Sequence, residues 1–284
     1  MPSMAKTALT LISLILLGAA TLYVLACGYM FLAQRRFLYK PEIGDLRNPA
    51  SAGLAEASHA RVAGQDETEI SAWYVAPKIH MPVIYYLHGN AGNLTGRKDR
   101  FAAFARRGYG VFAISYRGYG DSDGAPKESG LFSDAEAGRQ YLAKTLGIRE
   151  SDIILYGESL GTGVALHLVA EGRFRPLFVA LEAPYLSVGK IARRSYPWLP
   201  VDMLLRDRFD SEKRVPSLDV PLMVLHGEAD ALIPPSDGRA LFDKAGARVK
   251  EFYSLPGIGH VDAPPEKIIG LMERFMREKL YVIP

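Results

Sequence analysis

The sequence predicts an α/β domain with a mostly parallel sheet covered by helices on both faces, preceded by one apolar helix. Three observations carry that prediction. From residue 60 onward, short runs of β-branched and aromatic residues alternate with longer helical stretches. Residues 7–33 contain no charge at all. The segment DIILYGESLGTGVALHLVA (152–170) runs from strand pattern to helix pattern through Gly-x-Ser-x-Gly. The chain has 284 residues, 49% of them apolar and 23% charged. These values exclude wholesale disorder and leave room for one large domain with an appendage.

The run TALTLISLILLGAATLYVLACGYMFLA (7–33) exceeds the ~20 apolar residues that a membrane-crossing helix needs. It is also longer than the apolar region of a cleaved signal peptide, about 7–15 residues. We therefore read residues 1–36 as an uncleaved signal-anchor with a single transmembrane helix, and 37–284 as the domain. VLAC (24–27) offers a lipoprotein alternative with Cys27 acylated, but the chain stays apolar beyond it. Tyr29, Phe31, Phe37 and Tyr39 suit an interfacial belt. Five basic residues (Lys6, Arg35, Arg36, Lys40, Arg47) face two acidic ones in residues 1–47, which accounts for the whole net charge of +3. The domain itself is neutral, which argues against a nucleic-acid partner; the basic excess sits beside the apolar run, where a membrane surface would use it. Arg35, Arg36 and Lys40 favour a cytoplasmic domain under the positive-inside rule, whereas short N-terminal anchors often keep the N-terminus inside; the side of the membrane stays open. The single cysteine excludes an intramolecular disulfide framework.

Strands are expected at 69–75, 82–87, 110–115, 152–156, 177–182, 221–225 and 250–255, and helices near 97–107, 130–146, 160–171, 236–245 and 265–280. The interval from Pro184 to Leu218 holds Tyr185, Tyr196, Trp198 and four prolines and has no partner strand. It reads as a lid inserted over the strand ends.

In the strand–turn–helix setting of 152–170, Gly157 and Gly161 let the chain make the tight turn that lifts the Ser159 hydroxyl clear of the backbone. A serine needs a base, and the base needs an orienting acid. His59 and His80 precede the sheet core or lie in a turn and read as solvated, and His167 reads as a packed or surface residue of the elbow helix. His88 and His226 stand at strand ends. His260, in SLPGIGHVD after the last strand, is the candidate base. Asp230, in LMVLHGEADALIP beyond the strand before it, is the candidate acid, with Glu228 its near rival. The chain order Ser159, Asp230, His260 suits this architecture. The Leu160 N–H, at the helix start, and the Asn90 N–H, in HGNAGN (88–93), are the oxyanion candidates, with Ala91 the alternative to Asn90. No phosphate loop, H-E-x-x-H or spaced His/Cys cluster accompanies them.

YYLHGNAGN (85–93), SYRGYGDSDG (115–124), YGESLGTGVAL (156–166), HGEADALIP (226–234) and GIGH (257–260) together resemble the α/β-hydrolase superfamily. With QRRFLYKP (34–41), they are most similar to its small, N-terminally anchored serine hydrolases of the serine-aminopeptidase-like branch. The resemblance implies the α/β-hydrolase fold and a serine hydrolase acting on carboxylic esters or thioesters, including lipids or acylated proteins, with no metal or organic cofactor. The branch name does not establish peptidase activity. The other readings are a peptidase or amidase of the same fold, or a catalytically silent interaction module. Lys190, Arg193 and Arg194 in the lid are candidates for facing anionic headgroups, against the commoner role of a solvated charged face. Acyl chain, leaving group and oligomeric state are not legible.

Overall fold

The computed structural model describes residues 4–64, 66–171 and 174–281. Helix α1 (Met4–Leu38) is followed by the two-residue strand β1 (Lys40–Pro41), then β2 (Ser58–Ala63), β3 (Glu69–Val75), β4 (Val83–Leu87) and the two-residue β5 (Ala91–Gly92). Next come α2 (Lys98–Arg106), β6 (Gly110–Ile114), α3 (Glu128–Lys144), β7 (Ile153–Glu158), α4 (Leu160–Ala170) and β8 (Phe178–Glu182). Three short helices, α5 (Val188–Ser195), α6 (Val201–Leu204) and α7 (Ser211–Arg214), precede β9 (Leu222–Gly227), α8 (Pro235–Lys244), β10 (Lys250–Leu255) and α9 (Pro265–Phe275).

The eight-stranded sheet has the order β10-β9-β8-β7-β4-β6-β3-β2. Six neighbouring strands, β10 to β6, are parallel; β3 and β2 close the other edge in antiparallel pairing. All five residues of β4, β6 and β8 are buried, because both faces are covered. Along β4 the side chains alternate between two cores. Val83, Tyr85 and Leu87 pack with residues of α3, α4 and α8, while Ile84 and Tyr86 pack with Phe101 and Phe104 of α2 and Met272 and Phe275 of α9. The chain leaves β4 toward β6 on one side, and β7 sits on the other. The carboxyl ends of β4 and β7 therefore flank the crevice where sheets of this kind bind ligands.

Three sequence expectations change. The edge strand β2 was not foreseen: SHARVA has no clean alternation, and His59 is half-buried against the Ser71 hydroxyl (3.0 Å) rather than solvated. Tyr39 is buried in the core instead of lying in an interfacial belt, because β1 turns the chain inward onto β5. The apolar segment continues as helix through Gln34–Leu38. Helix α1 is long and apolar enough to cross a membrane.

Candidate active site

Ser159 occupies the junction of β7 and α4 with φ +49° and ψ −114°, a conformation that costs a non-glycine residue of order 1–3 kcal/mol. Two close approaches hold it there. A side chain on Gly157 would come within 2.8 Å of the Gly161 carbonyl, and one on Gly161 would strike the Leu87 carbonyl of β4. The Ser159 N–H donates to the Glu182 carbonyl (2.9 Å), and its own carbonyl accepts the Thr162 hydroxyl (2.6 Å). The backbone is thus pinned from both sides. Leu160 begins α4, so its N–H has no partner within the helix.

Asp230 follows β9 in a turn that its own carboxylate closes: Oδ1 accepts the Leu232 and Ile233 N–H groups, each at 2.9 Å. Its Oδ2 lies 2.7 Å from His260 Nδ1, and His260 Nε2 lies 2.9 Å from Ser159 Oγ. A carboxylate only accepts, so Nδ1 carries the proton and Nε2 is left to accept from the serine hydroxyl. Burial alone would raise the Asp230 pKa. Hydrogen bonds from His226, His260 and the Ile233 N–H outweigh it and hold the carboxyl well below the usual range. His226, 3.5 Å from Asp230 Oδ2 and bonded to the Ile233 carbonyl (2.9 Å), is a second support for the acid that the sequence did not signal as such. Glu228 points instead to the Ser254 hydroxyl (2.7 Å) on the exposed side. His88 is fully buried against Tyr116 and Tyr119, and burial pushes its pKa down to about 3. His80 lies exposed in its turn, and His167 stacks on Phe132.

The loop after β4 is tied at several points. The Asn90 carbonyl accepts the Lys40 N–H (2.9 Å) and the Tyr119 hydroxyl (2.8 Å), and its side-chain amide donates to the Leu38 carbonyl (2.8 Å). Asn90 and Ala91 both line the same cavity as Ser159 and Leu160. Beneath this loop lies a charged network that sequence reasoning missed. Arg97 donates to the Ala91 and Asn93 carbonyls (2.9 and 3.0 Å) and to Glu158 (2.6 Å). Glu158 also accepts the Tyr86 hydroxyl and the Gly89 N–H. Burial would raise the Glu158 pKa, but the Arg97 charge prevails and holds it at about 2. Arg100 pairs with Glu182 and donates to the Val261 carbonyl (3.1 Å), next to His260. One arginine therefore ties the loop after β4 to the β7–α4 turn, and the other ties the His260 loop to β8. The available signal was a carboxylate at the buried end of an apolar strand, which demands a cation nearby.

A cavity of about 430 Å³ opens over Ser159, walled mainly by apolar side chains that include Tyr185, Ile191, Tyr196, Leu199 and Leu204 of the segment between β8 and β9. Trp198 of that segment faces outward. Lys190, Arg193 and Arg194 are each bridged to a carboxylate, Glu212, Asp202 and Asp237 respectively. Arg193 and Arg194 remain exposed to solvent, so this is a salt-bridged surface face. Among the described residues, no group of three or more His, Cys, Asp or Glu is arranged to hold a metal ion.

The model of the family described as serine aminopeptidase, S33, matches residues 79–207 and 201–261. An uncharacterized protein of Mycobacterium tuberculosis, Rv2307c, is 32% identical over 257 residues, covering 88% of this chain and 89% of its own length. Lysophosphatidylserine lipase ABHD12 of Danio rerio is 29% identical over 246 residues, covering 74% of this chain and 64% of its own. Among solved structures, the esterase Pf2001 of Pyrococcus furiosus superimposes with a TM-score of 0.68 at 17% identity, over 85% of this chain and 97% of that one. That likeness is one of fold.

Proposed function

The chain belongs to the serine aminopeptidase S33 family of α/β-hydrolases, and from that premise we propose that it is a membrane-anchored serine hydrolase cleaving carboxylic esters or thioesters of lipid or acylated substrates. The observation that carries this reading is the continuous contact Asp230–His260–Ser159, at 2.7 and 2.9 Å, at the floor of an apolar cavity.

Ser159 Oγ attacks the acyl carbonyl while His260 Nε2 takes its proton. Asp230, ionised and accepting from His260 Nδ1, keeps the ring in the right tautomer and stabilises the imidazolium. The Leu160 N–H and the backbone of the Asn90–Ala91 loop take the oxyanion; one such donor is worth about 10²–10³ in rate. The imidazolium returns the proton to the leaving alcohol or thiol. Water, deprotonated by the same histidine, then attacks the acyl-enzyme and releases the acid. Residues 184–218 act as the lid that shields these steps from bulk water.

The apolar lining favours an acyl chain over a peptide. The anchor, residues 1–36 with the membrane-crossing helix at 7–33, keeps the site beside the lipids that carry such chains. The lipase name of the Danio rerio relative points the same way. A panel of p-nitrophenyl esters from acetate to laurate tests the reading. Specificity rising with chain length supports it, and a strict preference for acetate overturns the lipid assignment.

A further inference from the structure

Helix α1 is docked on the domain by polar contacts spaced along its last four turns. The Tyr23 hydroxyl donates to the Trp198 carbonyl (3.0 Å). Gln34 uses both ends of its amide, donating to the Leu204 carbonyl (3.0 Å) and accepting the Arg206 N–H (2.8 Å). Arg35 forks onto Asp207 at 2.7 and 3.1 Å, and Asp207 is almost wholly buried. The Arg206 guanidinium lies 5.5 Å from the Phe31 ring centroid. These partners all belong to the segment between β8 and β9, while at the helix end the Leu38 carbonyl accepts the Asn90 side-chain amide (2.8 Å).

This docking turns one face of the anchor toward Ser159. Met30, Gln34, Phe37 and Leu38, spaced three and four apart as one helix face requires, line the cavity together with Ser159 and Leu160. Tyr29 and Leu32, around the helix from them, are 63% and 79% exposed. Met30 stands about one helical turn, ~6 Å, inside the polar boundary at Gln34. The cavity wall therefore reaches into the outer part of the hydrocarbon layer, where the ester-proximal stretch of a membrane acyl chain lies.

We infer that the anchor helix is itself part of the acyl site: the hydrocarbon chain of the substrate passes along α1, between Met30 and Phe37 on one side and Tyr196 and Leu204 on the other, and enters from the lipid leaflet. The inference rests on the hydrolase reading above and adds to it a source for the substrate and two specificity-determining residues, Met30 and Phe37. The ligand chemistry is a single long acyl chain ester-linked at the membrane surface, on a monoacyl lipid or on an acylated protein. A chain delivered through water would not need a wall that exists only while the anchor is attached.

The test is the ratio of kcat/KM for p-nitrophenyl laurate to that for p-nitrophenyl acetate, measured on the full chain in detergent micelles. Met30→Trp fills the cavity beside the helix. With each methylene denied burial costing about fourfold, blocking two or more lowers the ratio at least ~10-fold. Met30→Ala lengthens the cavity and moves the preference toward longer esters. Leu32→Trp, the same bulk on the lipid-exposed face, keeps the wild-type ratio. Fluorophosphonate labelling of each variant verifies that the nucleophile is formed. The source is read by repeating the comparison in vesicles with a monoacyl phospholipid and with an S-palmitoyl peptide, the better wild-type substrate identifying it. A labelled Met30→Trp protein whose ratio stays within about twofold of wild type overturns the inference, as does an equal loss in Leu32→Trp. A wild-type protein that hydrolyses neither ester overturns the hydrolase reading beneath it instead.

Discussion

Replacing Arg97 by Met abolishes two jobs that the guanidinium performs at once. It removes the partner of Glu158, 2.6 Å away, and the donors to the Ala91 and Asn93 carbonyls. Glu158 stays buried, with the Tyr86 hydroxyl, the Gly89 N–H and a more distant Arg100 at 3.9 Å. Deleting one partner of a buried pair costs about 3–5 kcal/mol, and the remaining cation favours the lower end, about 3 kcal/mol. For a domain of this size that lowers the melting midpoint by about 6–12 °C. Activity is expected to fall as well, because the loop proposed to hold the oxyanion loses its lower tie. Losing a donor outright costs about 10²–10³. Asn90 remains tied to Leu38, Lys40 and Tyr119, so the expected loss is about tenfold, in kcat more than in KM.

The pH dependence follows from the same pair. Glu158 is depressed to about 2 in the fold from its ordinary 4.5. Its contribution is complete above pH ~4.5 and disappears as pH falls toward 2. Without Arg97 the folded value rises, so the variant loses less further stability across that window, starting from a lower plateau. Differential scanning fluorimetry in detergent at pH 7.5, 4 and 3, with ester kinetics at pH 7.5, reads all three effects. A midpoint within about 2 °C of wild type together with an unchanged kcat would refute the reasoning, since no buried charge would then have been left uncompensated.

Three further outcomes are expected. Asp230→Asn should lower kcat/KM by about 10⁴ through loss of the productive His260 tautomer, while Glu228→Gln changes it little; equal effects would reassign the acid. His88, folded at about 3 against 6.5 unfolded, gives stability that is full above pH 6.5 and lost as pH falls below it, at about 1.4 kcal/mol per pH unit. Melting midpoints between pH 7.5 and 5 should therefore fall less steeply in His88→Asn than in wild type, and parallel slopes would count against a neutral buried ring. Gly161→Ala should fail to accumulate as folded, labelled protein, because its new methyl meets the Leu87 carbonyl; normal labelling would mean that β4 yields more easily than close packing allows.

What could be read from the sequence divides along physical lines. The seven expected strands correspond to β3, β4 and β6–β10 within two residues at their ends, because strands buried on both faces are written as unbroken apolar runs. Ser159, Asp230 and His260 were legible as candidates because each stands just beyond a strand, where the topology leads side chains to one rim. The edge strand β2 was hidden because one-sided burial in SHARVA leaves a weak pattern. The Arg97–Glu158 and Arg100–Glu182 pairs were hidden because they join residues 61 and 82 apart. So was the docking of α1: Gln34 and Arg35 read as the polar end of an anchor until Leu204, Arg206 and Asp207, some 170 residues later, are brought beside them.

The central claim is that Ser159 is a nucleophile activated by His260, and covalent capture tests it most directly. Wild-type protein, Ser159→Ala and His260→Ala, each first verified as folded by its melting transition, are treated with a fluorophosphonate and analysed by intact mass and peptide mapping. One adduct, on Ser159, is expected in the wild type, none in Ser159→Ala, and strongly slowed labelling in His260→Ala. A folded wild-type protein that takes up no label, or takes it up on another residue, would contradict it.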